Sequence, residues 1–161
     1  MKRRRMSPAV TEVKSRSLTD VLNKQIANWS VLYIKLHHYH WYVTGPHFFT
    51  LHEKFEELYN EAAGYVDELA ERLLAIGGQP ASTMKACLEQ STLREAAGGE
   101  TAEQMVQAVA ADFQQVIREL EEGMSIAEQA NDQATSDMFL EISTSLQKHV
   151  WMLQAFLGRQ P

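Results

Sequence analysis

Cysteine is nearly absent from this 161-residue chain. The single Cys87 has no partner, which excludes an intrachain disulfide framework and a thiolate zinc site. It reads as a small buried or half-buried hydrophobe. Long apolar runs are missing too: although 45% of the residues are apolar, enough for the core of one domain, no stretch approaches the roughly eighteen needed to span a bilayer. The basic start Lys2-Arg3-Arg4-Arg5 leads into Ser7-Pro8-Ala9 rather than an apolar signal core, so a cytoplasmic location without a membrane partner is expected. Convincing period-two alternation is absent, which removes a sheet. Finally, no histidine has a glutamate three positions before it, since those positions hold Ile34, Lys35, His37, Thr44, Phe49 and Leu146. The Glu-x-x-His pairs of a di-iron site inside a helix bundle are therefore not available.

Charge of one sign is also unevenly supplied. Lys2, Arg3, Arg4, Arg5, Lys14 and Arg16 against Glu12 put +5 on residues 1–16, which leaves −11 on the remainder of a chain whose net charge is −6. Residues 1–16 read as a basic, flexible arm and residues 17–161 as a single acidic domain. The arm is a candidate DNA-binding element, and the acidic body opposes the same polyanion. A solvated tail is the alternative reading.

What is present is helical periodicity. Leu18, Leu22, Ile26, Trp29, Leu32, Tyr33, Leu36, His40 and Val43 recur at steps of three and four, from a cap at Ser17 to the break at Gly45-Pro46. A second helix is expected over about 51–76, opened by a capping box at Thr50-Leu51-His52-Glu53 and closed by Gly77-Gly78. A short helix is expected within Thr83–Gln90. Thr101 and Gln104 cap a third long helix, with Met105, Val109, Phe113, Val116, Leu120 and Met124 on one face. The fourth starts near Thr135 and carries Phe139, Ile142, Leu146, His149, Leu153 and Phe156. The fold expected is all-α, a ferritin-like four-helix bundle of two antiparallel pairs, with the short extra helix in the long crossover between them.

Function has to come from side chains rather than from the fold. At about 100° per residue, with Trp29 at 0°, His40 falls near 20° in the middle of the apolar face, His37 near 80° on its flank and His38 near 180° toward water. A lone histidine there reads as a core residue unless it has company. The second helix supplies it: with His52 at 0°, Glu56 falls near about 40°, Asp67 near 60° and Glu71 near 100°, beside the apolar face. Singly these are edge residues, as are Glu53, Glu57, Glu61 and Glu68. His52 and Asp67 lie fifteen residues apart, about 22 Å on a continuous helix, too far to share one ion within a chain. Antiparallel packing of this helix with its copy across a two-fold axis brings the His52 end to the Asp67/Glu71 end, and Ala62, Ala63 and Gly64 permit close approach. Imidazole with carboxylate suits Fe(II), Mn(II) or Zn(II) alike.

The segments LHHYHWYVTG (36–45), FFTLHEKFEELYNEAAGYVDELAERLLAIGG (48–78) and KHVWMLQAFLG (148–158) together resemble the Dps family of mini-ferritins, the DNA-binding proteins from starved cells, most nearly the Listeria and Bacillus members. The likeness covers residues 17–158. Its pattern is specific: His-Trp, a second histidine twelve positions after the first, then Asp fifteen and Glu nineteen beyond that.

The resemblance implies a homododecamer that oxidises Fe(II), preferably with hydrogen peroxide and otherwise with O2, at two-fold interfaces. It implies storage of ferric mineral and protection of DNA from oxidative damage. It makes His40 and His52 ligands from one subunit and Asp67 and Glu71 ligands from its partner, with Zn or Mn able to substitute for iron. Glu56 stands where the family often has a ligand or water-bridged aspartate, so its role stays open. Trp41 matches a tryptophan proposed to intercept radicals, with interface packing as the alternative. Glu128 and Asp137 match acids of an iron-entry pore; Asp132 is a third candidate, beside Gln133, or else a helix cap. His149 reads as a core or interface histidine. The competing reading is a nucleoid-associated, DNA-compacting protein acting through Lys2, Arg3, Arg4, Arg5, Lys14 and Arg16.

Overall fold

The computed structural model describes residues 17–160, and the basic arm lies outside the described residues. Five helices follow in order: α1 (Leu18–Tyr42), α2 (Phe48–Ala75), α3 (Met84–Gln90), α4 (Ala102–Gln129) and α5 (Gln133–Phe156). No strand occurs among the described residues. α1 pairs with α2 and α4 with α5, and the crossover carrying α3 packs on α1. This is the expected all-α, ferritin-like bundle.

Local chemistry sets most boundaries. Ser17 and Asp20 form a reciprocal capping box at α1, and Thr101 and Gln104 do the same at α4. α2 departs from expectation: it begins at Phe48, with His47 at the cap position and no side-chain cap bond, so the box predicted at Thr50 lies inside the helix. The Phe48 ring stacks on His52 at 5.0 Å, and this packing adds to the helix two residues ahead of Thr50. α5 likewise begins at Gln133, two residues before Thr135, because Asp132 accepts the Thr135 amide. At the end of α2, Gly77 takes φ +87° while Gly78 N–H reaches the Leu73 carbonyl, the left-handed stop expected there.

The core runs along the bundle axis through Leu22, Trp29, Leu36, Phe55, Phe113 and Phe139, all essentially inaccessible. Polar anchors fasten the crossover to it. Asn28 Oδ1 accepts from the Thr92 amide and the Ser91 hydroxyl, while its amide donates to Glu119 on α4. Lys35 is buried and donates to Asp112 at 2.7 Å and to the Arg94 carbonyl. Burial pushes the Asp112 carboxyl above its ordinary range, and Lys35 offsets this only in part. No described helix is long and apolar enough to cross a membrane.

Candidate metal centre

The last turn of α1 and the first turns of α2 are joined by residues 43–47, which brings His40 and His52 face to face. Their rings stack at 3.7 Å with planes 16° apart. His40 Nδ1 lies 2.7 Å from the His52 carbonyl, and His52 Nδ1 lies 2.8 Å from the His40 carbonyl. A carbonyl only accepts, so each Nδ1 carries the proton and donates it. A neutral imidazole then keeps its lone pair on Nε2. Tautomer and ring orientation are thus fixed by the partner residue's backbone, the arrangement that orients histidine ligands in metal sites. Both Nε2 lone pairs are freed for a ligand role before any ion arrives.

The surroundings are aromatic. Tyr59 stands edge-on to His40 at 5.3 Å and stacks on His37 at 3.7 Å. Its hydroxyl donates to Glu56 Oε1 at 3.2 Å, and among the described residues Glu56 does not close with His40 and His52 into a three-ligand cluster. Desolvation and then the Glu56 carboxylate push the Tyr59 phenol above its ordinary range and keep it protonated. Trp41 is 67% exposed and rests on His37 at 5.3 Å, so within one chain it is surface rather than core. His38 departs from expectation: it is half-buried against Tyr42, and its Nε2 is shielded without a partner, because the crossover covers this side of α1.

Asp67 and Glu71 are exposed farther along α2, on the same continuous helix as His52. They do not join the histidines within the chain. Ala63 and Gly64, between the two groups, are exposed, and a Cβ added to Gly64 would meet nothing within 4 Å. An open groove of about 680 Å³ runs alongside, bordered by Ile34, Ala63, Val66, Met84 and Leu88.

The candidate pore residues are organised by the α4–α5 turn. Asn131 takes φ +56° past the end of α4, with its N–H on the Glu128 carbonyl and the Asp132 N–H on that of Ala127. Asp132 caps α5 through the Thr135 amide and hydroxyl and pairs with Arg72 at 2.7 Å. Glu128 and Asp137 are exposed, Asp137 accepting from Gln133. Burial raises the Asp132 carboxyl, but the Thr135 bonds and Arg72 outweigh it and hold the group below its ordinary range. Asp132 therefore stabilises the fold above its unfolded pKa, about 3.9, and this contribution is lost as pH falls through the lower folded value. Asp132→Ala is expected to cost about 1–2 kcal/mol at neutral pH. Denaturation at pH 7 and near pH 3 checks this: the gap between variant and parent should narrow at the lower pH.

One pair escaped the sequence reading. Glu61 on α2 accepts from His149 Nε2 on α5 at 2.9 Å, and Glu57 lies beside them. The residues are 88 positions apart, and nothing short of the packed bundle joins them.

With this geometry in hand, the kinship is direct. The ferritin-like domain model matches residues 19–160. General stress protein 20U of Bacillus subtilis is 58% identical over 144 residues, 89% of this chain and 99% of that one. The crystal structure of a Dps protein from Bacillus brevis superposes with a TM-score of 0.86 at 55% identity, covering 87% of this chain and 94% of that one. The chain belongs to the Dps family. Another Dps, from Listeria innocua and soaked with zinc, matches at 41% identity and TM-score 0.87 over 90% of this chain and 99% of that one. Membership in the Dps family thus extends over the whole described bundle.

Proposed function

We propose that this Dps-family chain is a ferroxidase and iron store, working as a homododecamer whose metal sites form across two-fold axes. The observation that carries the reading is the reciprocal His40/His52 lock, which presents two Nε2 lone pairs and lacks a carboxylate complement of its own chain beyond Glu56. Asp67 and Glu71 of a second copy complete the set when the two α2 helices run antiparallel. Ala63, Gly64 and the apolar groove beside them suit such an approach. Imidazole and carboxylate donors suit Fe(II) as substrate, and they accept Zn or Mn as well.

The chain's own residues hold Fe(II), balance its charge and orient it. Hydrogen peroxide accepts two electrons and each Fe(II) supplies one, so two ions oxidised per peroxide give water and no hydroxyl radical. O2 is the slower oxidant in this reading. In this reading Glu56 adds a carboxylate for iron, and Trp41, next in sequence to His40, quenches a stray radical. Glu128, Asp132 and Asp137 act at the iron entry, Asp132 also holding the α4–α5 turn. The −11 body draws cations to the assembly. Stopped-flow oxidation tests the activity: the expected result is two Fe(II) consumed per peroxide, faster than with O2, by an assembly twelve times the chain mass in light scattering. Oxidation no faster than in buffer, or a monomeric particle, contradicts it.

A second reading concerns DNA, and the +5 arm favours it. Twelve arms on one particle supply avidity that a single arm lacks. The expected result is a DNA mobility shift by the full chain at low salt, lost at higher salt and lost after deletion of residues 1–16. No shift at low salt removes this reading and leaves the ferroxidase untouched. A cytoplasmic, nucleoid-associated location goes with a positive result.

A further inference from the structure

We propose that Glu57, Glu61 and His149 form a second divalent-cation site, complete within one chain and separate from the histidine pair. This inference does not rest on the ferroxidase reading. One nitrogen and two carboxylate oxygens from these residues lie within 4.8 Å of one another, close enough to converge on a single ion. Glu57 and Glu61 are one turn apart on α2, and His149 reaches them from α5. On α2 the cluster occupies the opposite flank from the histidine stripe: Glu61 lies about 180° around the helix from His52. No ligand is shared, so one site can fill without emptying the other.

The state of His149 is the second observation. The residue is 94% buried, being 6% exposed, with Nε2 aimed at both Glu61 oxygens at 2.9 and 3.1 Å. Its Nδ1 is buried with no hydrogen-bond partner. An ion on Nε2 takes the place of the Nε2–H bond to Glu61 and shifts the ring proton to Nδ1, a nitrogen that holds no other bond. His40 and His52 differ in this respect, since their Nδ1 protons are committed to carbonyls. Glu61 and Glu57 remain part-exposed, with 32% and 55% of their side chains accessible, which gives an ion a route from solvent. Lys54 holds Glu57 at 3.1 Å and is the competitor an ion must displace or share.

Two carboxylates cancel the charge of a divalent ion, and one imidazole selects a first-row metal over Ca(II) or Mg(II). Three protein ligands leave the remaining positions to water.

The test uses Co(II) alone as the probe, with the assembled full chain carrying His40→Ala and His52→Ala so that the histidine pair is silent. Equilibrium dialysis should still show about one Co(II) per chain, and adding Glu57→Gln with Glu61→Gln should remove it, as should His149→Gln. In crystals of the parent chain soaked with Co(II), an anomalous peak should stand about 2.0–2.2 Å from His149 Nε2 and from the carboxylate oxygens. Co(II) retention unchanged by the glutamine substitutions overturns the proposal. So does a soaked parent crystal with no peak at His149, an outcome that does not depend on any variant folding. If the ferroxidase reading alone fails, parent and His40→Ala/His52→Ala chains oxidise iron equally while the Co(II) result stands.

Discussion

His40→Ala combined with His52→Ala is expected to abolish rapid peroxide-driven Fe(II) oxidation while leaving the assembly intact. Both substitutions remove an Nε2 donor, and each also removes the Nδ1–H that orients the other residue's turn. Loss of orienting contacts alone typically costs metal sites about 10- to 100-fold, and loss of the ligands themselves costs more. The rate should therefore fall at least 100-fold, on the order of the protein-free rate. Folding should survive because the rings sit at the rim of the bundle, His52 half-buried and His40 at 9% exposure, away from the Leu22, Trp29 and Phe113 core. Changing both at once leaves no orphaned imidazole N–H, and the carbonyls released lie beside half-exposed His52, where water reaches them. Stopped-flow absorbance of ferric product with light scattering on the same sample separates a lost site from a lost particle. Parental kinetics in this variant would remove the histidines from the mechanism.

Much of the bundle was legible because its signals are local. The Ser17 and Thr101 caps, the stop at Gly77-Gly78 and the apolar stripes of α4 and α5 depend on residues within a turn or two of one another. The misplaced starts of α2 and α5 have specific causes. A capping-box pattern at Thr50 is outweighed by Phe48 packing on His52, and Asp132 caps α5 through the Thr135 amide. The candidate site was legible as a spacing, since a fifteen-residue separation on one helix already separates His52 from Asp67. The reciprocal hydrogen bonds that set the tautomers were not, because they require the interhelical angle and both rotamers. Reading His38 as solvent-facing failed for the same reason, the crossover being invisible to a helical wheel. Glu57 and Glu61 looked like plain edge residues until α5 placed His149 against them.

The carboxylate half of the site carries an equally large expectation. Asp67→Asn with Glu71→Gln should lower the peroxide-driven rate about as far as the double histidine change, although both residues stand exposed and well removed from the histidines of their own chain. Neither change alters side-chain volume appreciably, and neither residue has a hydrogen-bond partner among the described residues. Fold and assembly should be indifferent to them. A solvated edge residue would give no kinetic effect at all, so the size of the loss discriminates sharply. Replacing carboxylate by amide keeps the shape and removes the negative charge that balances a divalent ion, which isolates the ligand role.

The central claim, that each chain holds half of every ferroxidase site, is tested most directly by co-assembling the two inactive chains. In a hybrid pair made of one His40→Ala/His52→Ala chain and one Asp67→Asn/Glu71→Gln chain, one of the two symmetric sites has both histidines, Asp67 and Glu71 intact and the other has lost all four. Random mixing makes half the pairs hybrid, so peroxide-driven oxidation should return to about a quarter of the parental rate in mixed assemblies. Mixed assemblies as inactive as either parent variant would contradict a site shared between subunits.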